Sequence, residues 1–189
     1  MSALYYLVGP PASGKRTVGK ALADASGAVL IDNHLINDPV FTAIGANGRD
    51  PLPGLAFKLA GRIGEIVREA VLCAPNDLDH IFTNWLSDTE RDAELYRQIR
   101  DLAQARDARF VPVWLTCQRI ELTRRVALSD RQERNKLRDP ATLIEALDRN
   151  ATLPPPTDAL LLDTTDTSPT ESARRILTFA GQNSRLGQP

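Results

Sequence analysis

Residues Gly9-Pro10-Pro11-Ala12-Ser13-Gly14-Lys15-Arg16-Thr17 contain the pattern Gly-x4-Gly-Lys, which joins backbone freedom to a fixed positive charge. Glycines let a main chain approach a polyphosphate closely, successive N–H groups gather around the anion, and a helix starting there adds its positive dipole end. Lys15 adds a mobile point charge for the outer phosphates. A chain of this composition is expected to hold roughly 0.01 such matches by chance. The bland alternative is a Gly/Pro-rich turn with an exposed lysine. The flanks weigh against it, because the apolar run Ala3 to Val8 enters the stretch as a strand and Thr17 to Ala25 leaves it with helical spacing.

One position departs from the usual wording of this phosphate loop, which sets Ser or Thr directly after the lysine to serve magnesium. Arg16 stands there and Thr17 follows. Either Thr17 takes the hydroxyl's role from one residue later, or the metal site is weaker.

The next element carries a second group of polar residues. Ser26-Gly27 stops the first helix, Ala28 to Ile31 reads as a short buried strand, and Asp32-Asn33-His34 ends it. In an open α/β sheet the ligand lies beyond the carboxyl ends of the strands, so these side chains share a crevice with the loop. The structural alternative is that Asp32 or Asn33 caps a helix over Leu35 to Ile44. His34 reads equally as an acceptor contact or as a packed residue near that cap.

The turn-rich loop Gly45 to Gly54 leads to a helix from about Leu55 to Cys73, with Leu55, Leu59, Ile63, Ile66, Val67 and Ala70 as its apolar face. Arg49, Lys58 and Arg62 are candidates to meet an anionic acceptor, or belong to a solvated face. A third strand over His80 to Trp85 offers Thr83 and Asn84 where many nucleotide-binding chains end in aspartate; Trp85 lines the pocket or packs as core. Asp88 reads as a cap for the helix that Thr89 and Glu90 open and that runs to about Arg106. Phe110 to Leu115 is the fourth strand, with pairing expected from Pro112 onward because proline cannot donate to a ladder. Helices over Thr116 to Leu128 and Pro140 to Asn150, a strand over Ala159 to Asp163, and a last helix from about Ser168 to Ala180 complete the chain. Between them, Ser129 to Asp139 alternates in sign, which in most chains marks a solvated face.

Five short strands alternating with helices specify a three-layer α/β domain with a five-stranded parallel sheet. The 189 residues suffice for one core, read as a single domain over 1–182 with a tail at 183–189. Net charge is -1 and aromatic content is 5%, which argues against nucleic acid as a partner. No window reaches the roughly 18 apolar residues of a membrane span, and no targeting segment precedes the first strand, so the chain is read as cytoplasmic. Cys73 and Cys117 lie among apolar residues and are expected as buried free thiols.

Gly-x-Pro-x-x-Gly-Lys-x-Thr resembles the P-loop (Walker A) of adenylate kinases, and Thr17-Val18-Gly19-Lys20-Ala21-Leu22-Ala23 resembles the helix of shikimate kinases. Both belong to the nucleoside monophosphate kinase-like group of P-loop proteins, with gluconate kinases and chloramphenicol phosphotransferase. The resemblance spans most of the chain, with its sharp motif at the loop. It implies an ATP-dependent phosphotransferase that takes ATP and Mg2+ and delivers the γ-phosphoryl to a small-molecule hydroxyl or phosphate. It implies that Gly9, Pro10, Pro11, Ala12, Ser13, Gly14, Lys15, Arg16 and Thr17 wrap the nucleotide and that Thr17 and Asp32 serve magnesium. Asp32 becomes base or positioning group for the acceptor, Arg125 stacks on the base, and Arg131, or Arg134 in its place, closes over the phosphates. It places the acceptor-binding segment at about 33–74 and a lid at about 129–139. Two rivals stand beside it: a nucleotide-binding module without transfer, and a kinase acting on nucleic acid or a nucleotide-sugar. The acceptor and the oligomeric state are not specified.

Overall fold

The structure, a computed structural model, describes residues 2–47, 50, 52–127 and 139–186. Its first strand, β1 (Ala3–Val8), is buried along its whole length. Such a strand must be covered on both faces, and its odd and even residues divide accordingly. Ala3, Tyr5 and Leu7 pack with Val18 and Leu22 of α1 (Lys15–Ser26) and with Ala173 and Ile176 of α7 (Pro169–Leu186). Leu4, Tyr6 and Val8 pack on the other face with Val71 of α3 (Gly54–Leu72) and with Ile99 and Leu102 of α4 (Glu90–Ala105). Full burial of each such Leu, Ile or Val contributes about 1.5–3 kcal/mol, so β1 is the strand on which both cores depend.

The remaining strands are β2 (Val29–Asp32), β3 (His80–Asn84), β4 (Arg109–Thr116) and β5 (Leu160–Asp163). They form one sheet in the order β2-β3-β1-β4-β5, and every pairing is parallel. Parallel neighbours need long crossovers, which the helices supply, and all five strands end on one side of the domain. In register, Val8 of β1 stands between Asn84 of β3 and Trp114 of β4, while Asp32 of β2 stands beside Thr83. The loop that opens with Gly9 therefore starts where three strand ends converge.

Helices α2 (Asn33–Ala43) and α3 form a separate pair with a core of Val40, Ala56 and Ala60. Beyond β4, α5 (Arg119–Val126) and α6 (Pro140–Arg149) meet through Leu122, Val126 and Leu143, and Ala12 of the loop packs against them. Asp139 caps α6 by accepting from the Thr142 N–H at 2.8 Å, and Pro140 occupies the first helical turn, where its missing N–H costs nothing. No helix among the described residues is long and apolar enough to cross a membrane.

Several local expectations are corrected. The buried face of α3 is Ala56, Ala60, Gly64 and Val71, whereas Leu55 and Ile66 are each 64% exposed and Ala70 is exposed. Close approach of α2 selects the small residues as the inward stripe. β4 pairs with β1 from Arg109, ahead of Pro112; on its β5 side the ladder begins at Val113, one residue past the proline. Thr89, not Asp88, caps α4, accepting from the Asp92 N–H at 3.2 Å. Cys73 is exposed and Cys117 half-buried, both as free thiols, and α7 continues to Leu186.

Candidate active site

The loop between β1 and α1 is held tightly. The Gly9 N–H donates to Asn84 O at 3.1 Å, and a Cβ on Gly9 would stand 2.7 Å from Leu115 O, so no larger residue fits. Ala12 and Gly14 adopt φ of 65° and 87°. Left-handed residues in a tight turn gather successive N–H groups into an anion-binding concavity. Lys15 reaches back over the loop, its Nζ donating to Gly9 O at 2.7 Å and to Pro10 O at 2.8 Å. Ser13 is fully buried, and its Oγ has no hydrogen-bond partner among the described residues. Pro10, Pro11 and Ala12 are half-buried along the outer turn.

Helix α1 begins without a capping side chain and without an acid in its first turn. Lys15 and Arg16 occupy that turn instead, the opposite of what the helix dipole favours. A bound anion reverses the sign of that effect.

Asp32 ends β2 at 5% exposure. Its Oδ1 accepts from the Thr83 hydroxyl at 2.9 Å, and its Oδ2 lies 3.1 Å from Arg16 Nε. His34 Nδ1 stands 3.5 Å from Oδ1. Asp32 takes the N-cap position of α2 with extended backbone, as the cap alternative expects, but its carboxylate makes no cap bond to α2. The Asn33 N–H is taken by Thr83 Oγ1 at 3.2 Å instead. Asn84 then joins Asn33 to Tyr6, donating to Asn33 Oδ1 at 3.1 Å and accepting from the Tyr6 hydroxyl at 3.2 Å. Burial pushes the Tyr6 phenol well above its ordinary range, so it stays protonated as a donor.

On the other flank Arg125 donates through Nη2 to Thr164 O at 2.7 Å and Thr165 O at 2.9 Å. Its Nη1 lies 3.9 Å from where a Cβ on Gly14 would stand. Glu121 Oε1 accepts from Arg125 Nε at 2.7 Å, and hydrogen bonds from Arg124 and Arg125 hold the Glu121 carboxyl down to about 2. Arg125 is thus fixed beside both the loop and the Thr-rich turn after β5.

Thr17 and Asp32, expected to serve magnesium, offer it one exposed hydroxyl and one buried carboxylate. That hard cation takes oxygen ligands. Arg16, not a hydroxyl, follows the lysine; Thr17 is exposed; and Asp32 is engaged by Thr83 and Arg16. No cluster of three His, Cys, Asp or Glu side chains suited to a metal occurs among the described residues. The carboxylate missing from the end of β3 is replaced by Thr83, whose hydroxyl serves Asp32.

Arg131, Arg134, Arg49 and nearly all of the expected lid lie outside the described residues. Lys58 and Arg62 are exposed on α3. Arg68 was not singled out from the sequence. It is half-buried, with Nη1 3.3 Å from where a Cβ on Gly64 would stand, and near enough to Tyr6 to oppose the rise of its pKa. The signal was there: Ala56, Ala60 and Gly64 recur every fourth residue, and Arg68 continues that stripe. Trp85 is half-buried, and its indole N–H has no hydrogen-bond partner among the described residues.

No protein-family model matches the chain, and no curated protein sequence matches it. Solved structures do. A provisionally assigned kinase from Chloroflexus aurantiacus J-10-fl superposes with a TM-score of 0.68 at 18% identity, covering 99% of this chain and 98% of that one. A gluconokinase from Sinorhizobium meliloti 1021 gives 0.62 at 17% identity, with 97% and 94% covered. A shikimate kinase from Acinetobacter baumannii in complex with shikimate gives 0.54 at 18% identity, with 97% and 95% covered. At this identity the likeness establishes the fold, that of the P-loop kinases with a five-stranded parallel sheet.

Proposed function

We propose that the chain is an ATP-dependent phosphotransferase that moves the γ-phosphoryl group to a hydroxyl or phosphate of a small molecule. The observation that carries this reading is the start of α1: two cations in an uncapped first turn, under a left-handed loop onto which Lys15 folds back. Helix stability alone disfavours that arrangement, and a polyphosphate makes it favourable. The kinase fold and the small-molecule kinases that share it add support.

In this reading Gly9 to Gly14 and Lys15 cradle the outer phosphates, and Arg125 bounds the nucleotide beside Gly14 and the Thr164-Thr165 turn. The acceptor oxygen attacks the γ-phosphorus in line, a hydroxyl acceptor releasing its proton to solvent, the bond to the bridging β-oxygen breaks, and ADP leaves. Such chemistry asks the protein for alignment and charge stabilisation rather than a covalent intermediate. Asp32, braced by Thr83, is the positioning group on the acceptor side, and Arg68 on α3 is a cation available to an anionic acceptor. No step is routed through a metal held by this chain.

The test is transfer of labelled γ-phosphate from ATP into a small-molecule extract and, separately, into RNA and DNA, with Lys15→Ala beside the wild type. Label in a metabolite, lost in the variant, supports the proposal; label in nucleic acid moves the acceptor class. A second reading, nucleotide binding without transfer, is favoured by Arg16 standing in the hydroxyl position. Tight ATP binding with no acceptor labelled would establish it instead.

A further inference from the structure

Arg16 and Asp32 form a buried-to-surface ion pair at the one place where a phosphate loop normally meets its metal. Asp32 is the buried partner, and a buried carboxylate is stable only when paired and hydrogen-bonded. Both conditions are met from opposite sides, with Thr83 on Oδ1 and Arg16 on Oδ2. The pair holds the guanidinium in the first turn of α1, next to Lys15. Arg16 meets Asp32 through Nε as an ion pair, and its two terminal nitrogens make no hydrogen bond to the described residues. A planar guanidinium with terminal donors to spare matches the geometry of phosphate oxygens.

We propose that Arg16, held by Asp32 and Thr83, is the built-in counter-ion for the nucleotide's outer phosphates and takes the place of the loop-bound metal, so that this chain binds ATP without a divalent cation. The proposal rests on the reading of the loop as an ATP site. Its physical content is a substitution of charge. A dication seated at the usual position would lie against Arg16, like charge against like, and the residue directly after the lysine would offer it no hydroxyl. Arg16 brings its terminal donors to that place and has Asp32 as its anchor. Lys15 and Arg16 together then supply two positive charges at the helix terminus whose dipole points the same way.

The experiment is calorimetric titration of the full chain with ATP in excess EDTA and in excess magnesium chloride, for the wild type, Arg16→Ser, Asp32→Asn and, as a control, Lys20→Ala on the exposed side of α1. The wild type is expected to show dissociation constants within about 3-fold of each other in the two buffers. Arg16→Ser writes Lys-Ser-Thr into the loop. It is expected to lose about 10-fold or more in EDTA and to regain affinity with magnesium. Asp32→Asn leaves Arg16 without its anchor and weakens binding in both buffers, while Lys20→Ala matches the wild type. Wild-type binding that disappears in EDTA overturns the proposal, with no variant needed, and so does an Arg16→Ser protein that binds in EDTA as well as the wild type. Absence of ATP binding by the wild type in both buffers overturns the ATP-site reading itself, and the proposal with it.

Discussion

Thr164 donates its hydroxyl proton to Ser13 O at 2.9 Å, tying the end of β5 to the loop between β1 and α1 across the sheet. The same hydroxyl lies 2.9 Å from Thr116 O at the end of β4, so one proton is shared between two carbonyls. Thr116 O also accepts from the Thr164 N–H, but Ser13 O has the hydroxyl as its donor from the β5 turn. Thr164→Val keeps the shape and removes that donor. Loss of about 1–2 kcal/mol in stability is expected, with ATP binding weakened about 3- to 10-fold because the loop loses its outer brace. Urea unfolding and ATP titration read the two effects separately, and an unchanged dissociation constant would show that the loop holds its shape without β5.

Arg125 is positioned from one side by carbonyls and from the other by Glu121. Glu121→Gln should leave the fold intact and weaken ATP binding by about 5-fold, since the ionised acceptor of Arg125 becomes a neutral one. The pH dependence follows from the lowered carboxyl. A group held at about 2 contributes fully above the ordinary carboxylate range and loses its contribution only as pH falls towards 2. Wild-type affinity assigned to Arg125 is therefore flat from neutral pH down to about pH 4. A loss centred near pH 4.5, absent from Glu121→Gln, would contradict the pairing.

Helix α3 separates what local sequence decides from what packing decides. The loop was legible because its glycines, its lysine, the strand before it and the helix after it are contiguous, and Asp32 was legible because a strand end fixes its side of the sheet. Its partners were not. Thr83 comes from another strand, and Arg16, read as part of the nucleotide loop, is joined to Asp32 only once β2 is placed in the sheet. Large apolar residues suggested Leu55 and Ile66 for the face of α3, but α2 approaches along Ala56 and Ala60, where only small side chains fit. Ala60→Leu should therefore cost about 1–3 kcal/mol by overpacking, whereas Ile66→Lys should change stability by no more than about 0.5 kcal/mol. Denaturant midpoints of the two variants decide between the faces. The opposite order would restore the one drawn from hydrophobicity.

His80 opens β3 between Leu4 of β1 and Val29 of β2, and it is buried. Burial lowers its pKa below 6.5, the Arg106 guanidinium lowers it further, and the hydrogen bond with the Leu78 backbone and the charge of Asp79 oppose them. Arg106 cannot withdraw to relieve the histidine. It is itself buried and donates to the carbonyls of Val71, Ala74, Pro75 and Leu78, closing the end of α3. The unfolded chain therefore takes up the proton at a higher pH than the folded one. The stability contributed by neutral His80 is present above about pH 6.5 and is lost as pH falls through that value towards the folded pKa. Urea midpoints should accordingly decline between pH 7 and pH 5.5, before most carboxylates titrate. In His80→Asn, which has no proton to take up, that decline should flatten even if the variant is less stable throughout. A wild-type midpoint that stays constant over this interval would mean that the histidine reaches solvent when protonated and that the start of β3 opens without unfolding the sheet.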